Sequence, residues 1–136
     1  MTMGAFDTLS IAGSGLLVHR KWLDAVSDNI SNINTATRTD QPAFQERFVD
    51  AQAVQYGSGE GGVRVAGVQF GSSAGRTVYE PDNPLSDKDG YVKYPDIDLG
   101  TQMSDLIMAQ RGYQANLATI DRATQAYQAA LQLGKH

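Results

Sequence analysis

Two apolar stripes, one near each end of the chain, constrain what it can fold into more than any other feature. In the first, Leu9, Leu16, Leu23 and Ile30 recur every seven residues, and Ala12, His19, Val26 and Ile33 recur in the same way beside them. That is the a/d pattern of a helical seam, broken once by a histidine. The second stripe alternates steps of three and four through Met103, Leu106, Gln110, Tyr113, Leu117, Ile120, Thr124, Tyr127 and Leu131 before Gly134 closes it. The pattern predicts two helices of roughly 40 and 50 Å, longer than most globular helices. Asp7 or Thr8 is positioned to cap the first, which ends near Asn34, and Asp98 or Thr101 to start the second. Helices of this length usually pack along another helix for most of their course.

Between the arms, from about Phe44 to Ile97, the period changes. Val63 to Val65, Val68 to Phe70, Thr77 to Tyr79 and Tyr91 to Tyr94 alternate as short strands do, three or four in all. The run Gly57 to Gly62 reads as a linker or hairpin loop, and Glu80-Pro81-Asp82-Asn83-Pro84 as a turn. The expected architecture is mainly α: long N- and C-terminal helices pairing as a coiled coil, with a short-stranded β module between them. The divisions are an N-terminal arm over 1–40, a β-rich module over 41–97 and a C-terminal arm over 98–136.

Composition narrows the function. Among 136 residues, 11 are basic and 15 acidic, and no basic run exceeds Arg20-Lys21. Nucleic-acid binding needs clustered cations to displace counterions, so this balance argues against it. There is no cysteine, which removes disulfides, thiolate nucleophiles and cysteine zinc sites. No apolar stretch approaches the roughly 20 residues that span a bilayer, and the stretch Met1 to Ser10 lacks the basic start and apolar run of a secretory signal.

The candidates for chemistry are weak. His19 lies on the seam with Asp24 and Asp28 one and two turns away, which suits a packed interface residue better than a catalytic base. Placing Gly90 of Ser86-Asp87-Lys88-Asp89-Gly90 at the sixth position of a calcium loop puts Leu85 first and Asp96 twelfth, so the run reads as a turn. Neither glycine-rich run carries a phosphate-loop ending. A hydrolase acting on cell-wall polymer would need paired, tuned carboxylates, and Glu60, Glu80 and Asp82 show no such setting. No enzyme activity, metal or cofactor is expected. Gly13 and Gly15, each costing about 1 kcal/mol within a helix, imply either close backbone approach or a helix built to be weak on its own.

The outer faces point to partners. Leu17, Val18 and Trp22 lie off the first seam and Ile107, Met108 and Ala109 off the second, so a simple helical pair would leave them in water. Gln102, Gln110, Gln114, Asn116, Gln125, Gln128 and Gln132 stand where a solvated helix usually carries charge, as suits lateral contact between subunits. The alternative is a soluble binding module, with the helices merely dimerising and the β segment holding a ligand.

The stretch Ser27-Asp28-Asn29-Ile30-Ser31-Asn32-Ile33-Asn34-Thr35 resembles the asparagine-rich signature shared by bacterial flagellar rod, hook and hook-filament junction proteins. Met103 to Asn116 resembles their terminal helix motif. Gly62 to Val68, Val78 to Pro84 and Asp89 to Val92 resemble the FlgC-like proximal rod type, so the likeness covers nearly the whole chain. Thr35-Ala36-Thr37-Arg38-Thr39 replaces the Thr-Pro-Gly-Tyr found after the signature in other axial proteins, which favours the proximal type. The resemblance implies a structural subunit, exported without a cleaved signal through the flagellar type III apparatus and assembled in the periplasmic rod of the basal body. Its partners would be copies of itself and neighbouring rod proteins, with no membrane insertion. It would polymerise through its terminal helices into a hollow, torque-transmitting shaft. On that reading the assembly interface is carried by Leu9, Leu16, Leu23, Val26, Ile30 and Ile33 of the first arm. The second arm contributes Met103, Leu106, Tyr113, Leu117, Ile120, Tyr127 and Leu131.

Overall fold

The computed structural model describes residues 4–56 and 60–135. Two helices, α1 (Ala5–Asn32) and α2 (Leu99–Gly134), pack together and enclose four strands. At about 1.5 Å per residue they reach roughly 42 and 54 Å. The start of α1 differs from expectation: Gly4 occupies the N-cap and Asp7 reaches back from the first turn, its carboxylate accepting the Gly4 N–H at 3.3 Å. At α2 the cap is Asp98, which accepts the Thr101 N–H at 2.9 Å and the Thr101 hydroxyl at 2.7 Å. No helix among the described residues is long and apolar enough to cross a membrane.

The strands form two separate antiparallel pairs rather than one sheet. β1 (Arg47–Tyr56) and β2 (Glu60–Phe70) make a long ribbon that lies along α1. β2 fuses the two predicted runs through Ala66-Gly67, and β1 is a strand that the sequence pattern did not reveal. Its alternation is masked by a register shift between Asp50 and Ala51, which breaks the period of two in the middle of the strand. Of the loop predicted over Gly57 to Gly62, Gly57-Ser58-Gly59 lies outside the described residues, and Glu60-Gly61-Gly62 is the first part of β2, paired with Val54 to Tyr56. Val63 and Val65 are half-buried while Arg64 between them is exposed, so one face of β2 turns inward; the Val63 N–H donates to Ser14 Oγ at 3.1 Å.

β3 (Arg76–Tyr79) and β4 (Tyr91–Tyr94) form the smaller pair, and Thr37 bridges to Lys93 on its edge. Val92 is fully buried there, close in chain to the buried Pro95 and Ile97 that lead into α2. The calcium-like run is the turn before β4. Asp87 accepts the N–H groups of Asp89 and Tyr91, both at 2.9 Å, and the Thr39 hydroxyl at 3.0 Å. The Tyr91 backbone bond leads in holding the Asp87 carboxyl below its ordinary range. Gly90 closes the turn at φ 88°, a conformation that L side chains rarely adopt, beneath the Tyr79 ring.

One buried polar chain ties helices and ribbon together. Asn29, 1% exposed, behaves as a strand partner to Arg47: its Oδ1 accepts the Arg47 N–H at 2.8 Å and its amide donates to the Arg47 carbonyl at 3.0 Å. The second amide hydrogen goes to Gln102 Oε1 at 3.0 Å, and Gln102 in turn donates to Glu46 Oε1. Gln102 is therefore an interior residue, also 1% exposed, and not the surface amide its spacing suggested. Both amide hydrogens of Asn29 and its Oδ1 are engaged, which makes the residue costly to alter.

Asn29→Asp preserves shape but places a carboxylate against two acceptors. Urea unfolding of the purified chain should show a loss of about 2–4 kcal/mol at neutral pH. Part of it should return in acid as that carboxyl protonates. An unchanged midpoint would contradict the role given to Asn29.

Candidate assembly interface

The helices run antiparallel, with Asn29 beside Gln102, His19 beside Gly112, Gly15 beside Asn116 and Phe6 against Tyr127. In α2 the residues that face inward are small or polar. Gln102, Ala109, Asn116 and Ala123 recur every seven residues, and of these Asn116 is half-buried and the others buried. The matching line on α1 includes the buried Ala12, Gly15, Val26 and Asn29. Glycine permits the close approach: a Cβ on Gly15 would stand 2.7 Å from Asn116 Oδ1, and one on Gly112 would strike the His19 ring. Gly13, by contrast, has open space beside it, so close packing accounts for Gly15 and leaves Gly13 without such a role.

His19 fills the crossing. Its Nδ1 donates to the Gly15 carbonyl at 2.8 Å, so the Asn116 Nδ2 that lies 3.1 Å from the same nitrogen is a contact and not a second hydrogen bond. Asn116 uses its amide on the Gly112 carbonyl at 3.0 Å. With Nδ1 committed to a helix carbonyl and no ion pair to it among the described residues, His19 is a packing residue.

The large apolar residues consequently lie to the side of the contact line. The inward stripe of α2 is turned by roughly 80° from the predicted seam, less than the step of about 100° between successive residues. Val26 is buried; Leu9, Leu16, Leu23 and Ile30 are only half-buried on α1, as are Ile33 just past its end and Leu106, Tyr113 and Ile120 on α2. Met103, Leu117, Tyr127 and Leu131 are exposed, Leu131 by 50%. Among the residues expected off the seams, Val18 and Ala109 are covered, Trp22 is half-buried, and Leu17, Ile107 and Met108 are open to water. The pair thus spends its small residues on itself and leaves much of both large-residue stripes uncovered.

At the ribbon end of α2 the charges are one-sided. Glu46 is pushed above its usual carboxylate range chiefly by desolvation, with Asp105, Asp96 and Asp98 adding repulsion and the Gln102 bond opposing it. Arg47 pairs instead with Asp28 at 2.5 Å and lies 5.4 Å over the Phe44 ring. Pattern reading missed Asn29, Gln102, Gly112 and Glu46. Asn29 and Gly112 stand inside the motifs that carried the family resemblance and Gln102 directly precedes the second, but polar or glycine positions give no periodic apolar signal.

Comparison with known proteins follows this geometry. A family model described as the C-terminal part of flagellar basal-body rod FlgEFG proteins matches residues 88–133, which include β4 and nearly all of α2. The flagellar basal-body rod protein FlgC of Salmonella typhimurium is 34% identical, with 98% of this chain and 100% of the relative aligned. Those of Borreliella burgdorferi and Bacillus subtilis are 32% and 30% identical over 96% and 98% of this chain, covering 98% and 100% of the relatives.

Two measurements probe this site. Gly112→Ala should lower the melting temperature of the purified chain despite alanine's better helix propensity, because His19 must leave its pocket. Gly13→Ala, with room for the methyl, should raise stability by about 1 kcal/mol. Equal effects at both positions would refute the close-approach explanation. The second concerns pH. A carboxyl with a raised folded pKa contributes stability below its unfolded value, near 4.5, and loses it as pH climbs through the folded value. Glu46→Gln should therefore flatten the decline of the urea midpoint across that window and leave the variant the more stable above it. An unaltered pH profile would show that Glu46 is not strained.

Proposed function

The chain belongs to the FlgC family of flagellar basal-body rod proteins, and from that premise we propose how its surfaces build the shaft. It is a structural rod subunit that assembles with other rod components. We infer that the two terminal helices pair as a coiled coil and that copies of the chain also pack against one another, the uncovered stripes of α1 and α2 meeting those of neighbours. Segments 1–40 and 98–136 would form the inner tube and 41–97 an outer module. The interface residues are Leu9, Leu16, Leu23, Ile30 and Ile33 on one arm, whereas Val26, expected with them, is already buried within the subunit. On the other they are Met103, Leu106, Tyr113, Leu117, Ile120, Tyr127 and Leu131.

The observation that supports this most is the exposure of Met103, Leu117, Tyr127 and Leu131 along one helix. Water-facing apolar groups in a row are covered in a functioning assembly, and burying each large one contributes about 1.5–3 kcal/mol. Stability gained from neighbours also suits a subunit that crosses the type III export channel unfolded, without a cleaved signal, and folds fully in the periplasm. A ligand-holding module would instead satisfy its helices within a fixed dimer, and no observation favours it.

Leu117→Asp and Leu23→Asp test the proposal. Burying an unpaired carboxylate costs several kcal/mol, so both variants should be lost from isolated basal bodies and cells should not swim. The Leu117 variant should meanwhile fold as a free chain, since that side chain is already exposed. Normal incorporation and motility with Leu117→Asp would overturn the interface assignment.

A further inference from the structure

Of the chain's 14 glycines, a single one follows an aspartate or asparagine: Gly90, after Asp89. That step is chemically exposed, because the backbone nitrogen after an aspartate can attack the side-chain carboxyl, and glycine, without a Cβ, hinders the attack least. The ring closes by a bond from Gly90 N to Asp89 Cγ, and the amide hydrogen leaves with the carboxyl hydroxyl as water. Water then reopens the succinimide at either carbonyl. Opening at one returns aspartate; opening at the original main-chain carbonyl leaves the chain running through Cβ and Cγ as isoaspartate, one backbone atom longer. Nothing but water is consumed or released.

The folded turn opposes that ring. The Gly90 N–H donates to the Asp87 carbonyl at 3.0 Å, the closing bond of a β-turn over Asp87 to Gly90. Only glycines have positive φ among the described residues, so Lys88 and Asp89 both lie at negative φ and the turn is type I. In that turn ψ of the third residue is about 0°. Succinimide closure instead needs Gly90 N swung about the Asp89 Cα–C bond until it eclipses Cβ. The swing would break the bond to Asp87 and carry off the Gly90 carbonyl, which accepts the Glu80 N–H at 2.8 Å. Asp87 braces the same stretch from both sides, accepting the Asp89 and Tyr91 N–H groups and donating its own to the Tyr91 carbonyl at 2.9 Å. Asp89 itself is exposed, so backbone geometry and not burial supplies the restraint.

We propose that Asp89–Gly90 is a site of spontaneous isoaspartate formation that the folded turn holds shut and that any unfolded period opens. Once made, the extra backbone atom displaces the Gly90 rung beside Tyr79 and Tyr91, so β4 no longer meets β3 in the register that buries Val92. An isomerised chain is thereby barred from completing its smaller β pair. The site acts independently of how copies of the chain pack.

The purified full chain is incubated in heavy-oxygen water at neutral pH, in native buffer and in guanidinium chloride. Isoaspartate is then read by isoaspartyl methyltransferase labelling and by mass spectrometry of the peptide holding Asp89. In denaturant Asp89 should isomerise and take up heavy oxygen faster than any other aspartate or asparagine, and in native buffer several-fold more slowly. Asp89→Glu, which disfavours the five-membered ring, should abolish the signal in denaturant. Asp87→Ala should bring the native rate towards the denatured one, whereas Asp87→Asn, which keeps an acceptor oxygen, should not. Should Asp87→Ala fail to fold, Thr39→Val carries the comparison, since it removes only the hydroxyl bond to Asp87. Equal wild-type rates in the two conditions, faster isomerisation elsewhere, or a signal surviving Asp89→Glu overturns the assignment. Isomerised chain diluted from denaturant should lack slow amide exchange at Val92; full recovery there overturns the block on refolding.

Discussion

The close antiparallel crossing of α1 and α2 governs everything else in the molecule. At its centre His19 lies against Gly112 while Gly15 admits Asn116, and neither approach tolerates a methyl group without displacing its neighbour. Because the crossing is built from small and polar side chains, it brings the backbones near without absorbing the leucines beside them. A conventional seam of leucines would have hidden those groups inside one chain. Here the pair is a rigid spacer that presents apolar edges outward, which is what a subunit of a packed shaft requires.

The polar chain from Arg47 through Asn29 and Gln102 to Glu46 has a second task, since it fixes the ribbon and the start of α2 to the same point on α1. Buried hydrogen bonds of this kind add little net stability but penalise every alternative arrangement that leaves one unmade. They set orientation, whereas the apolar edges supply the drive to associate. The separation explains how a chain that buries few large residues can still hold one geometry.

The helices were legible from the seven-residue recurrence, and the start of α2 was readable from Asp98 and Thr101. Their relative rotation was not. Apolar periodicity finds the largest side chains, and in this fold most of those lie beside the contact line. On α1 Ala12, His19 and Val26 of the predicted seam do face α2, but Leu9, Leu16, Leu23 and Ile30, and Met103 to Leu131 on α2, lie to its side. Gln102 misled for the same reason: its position in a heptad says nothing about whether an amide meets water or Asn29. β1 escaped because the shift at Asp50 and Ala51 interrupts its alternation, and because a ribbon with one side open needs few apolar residues. The sites of closest packing fell where a glycine or an asparagine carried the information.

The central claim is that edges open in the single subunit are covered in the assembled rod, and cysteine reactivity reads this directly. In a chain otherwise free of cysteine, Leu117→Cys should react rapidly with a maleimide when the subunit is free and be strongly protected in isolated basal bodies. Asp82→Cys on the exposed turn should react in both. Equal labelling of Leu117→Cys in the free and assembled states would contradict the account.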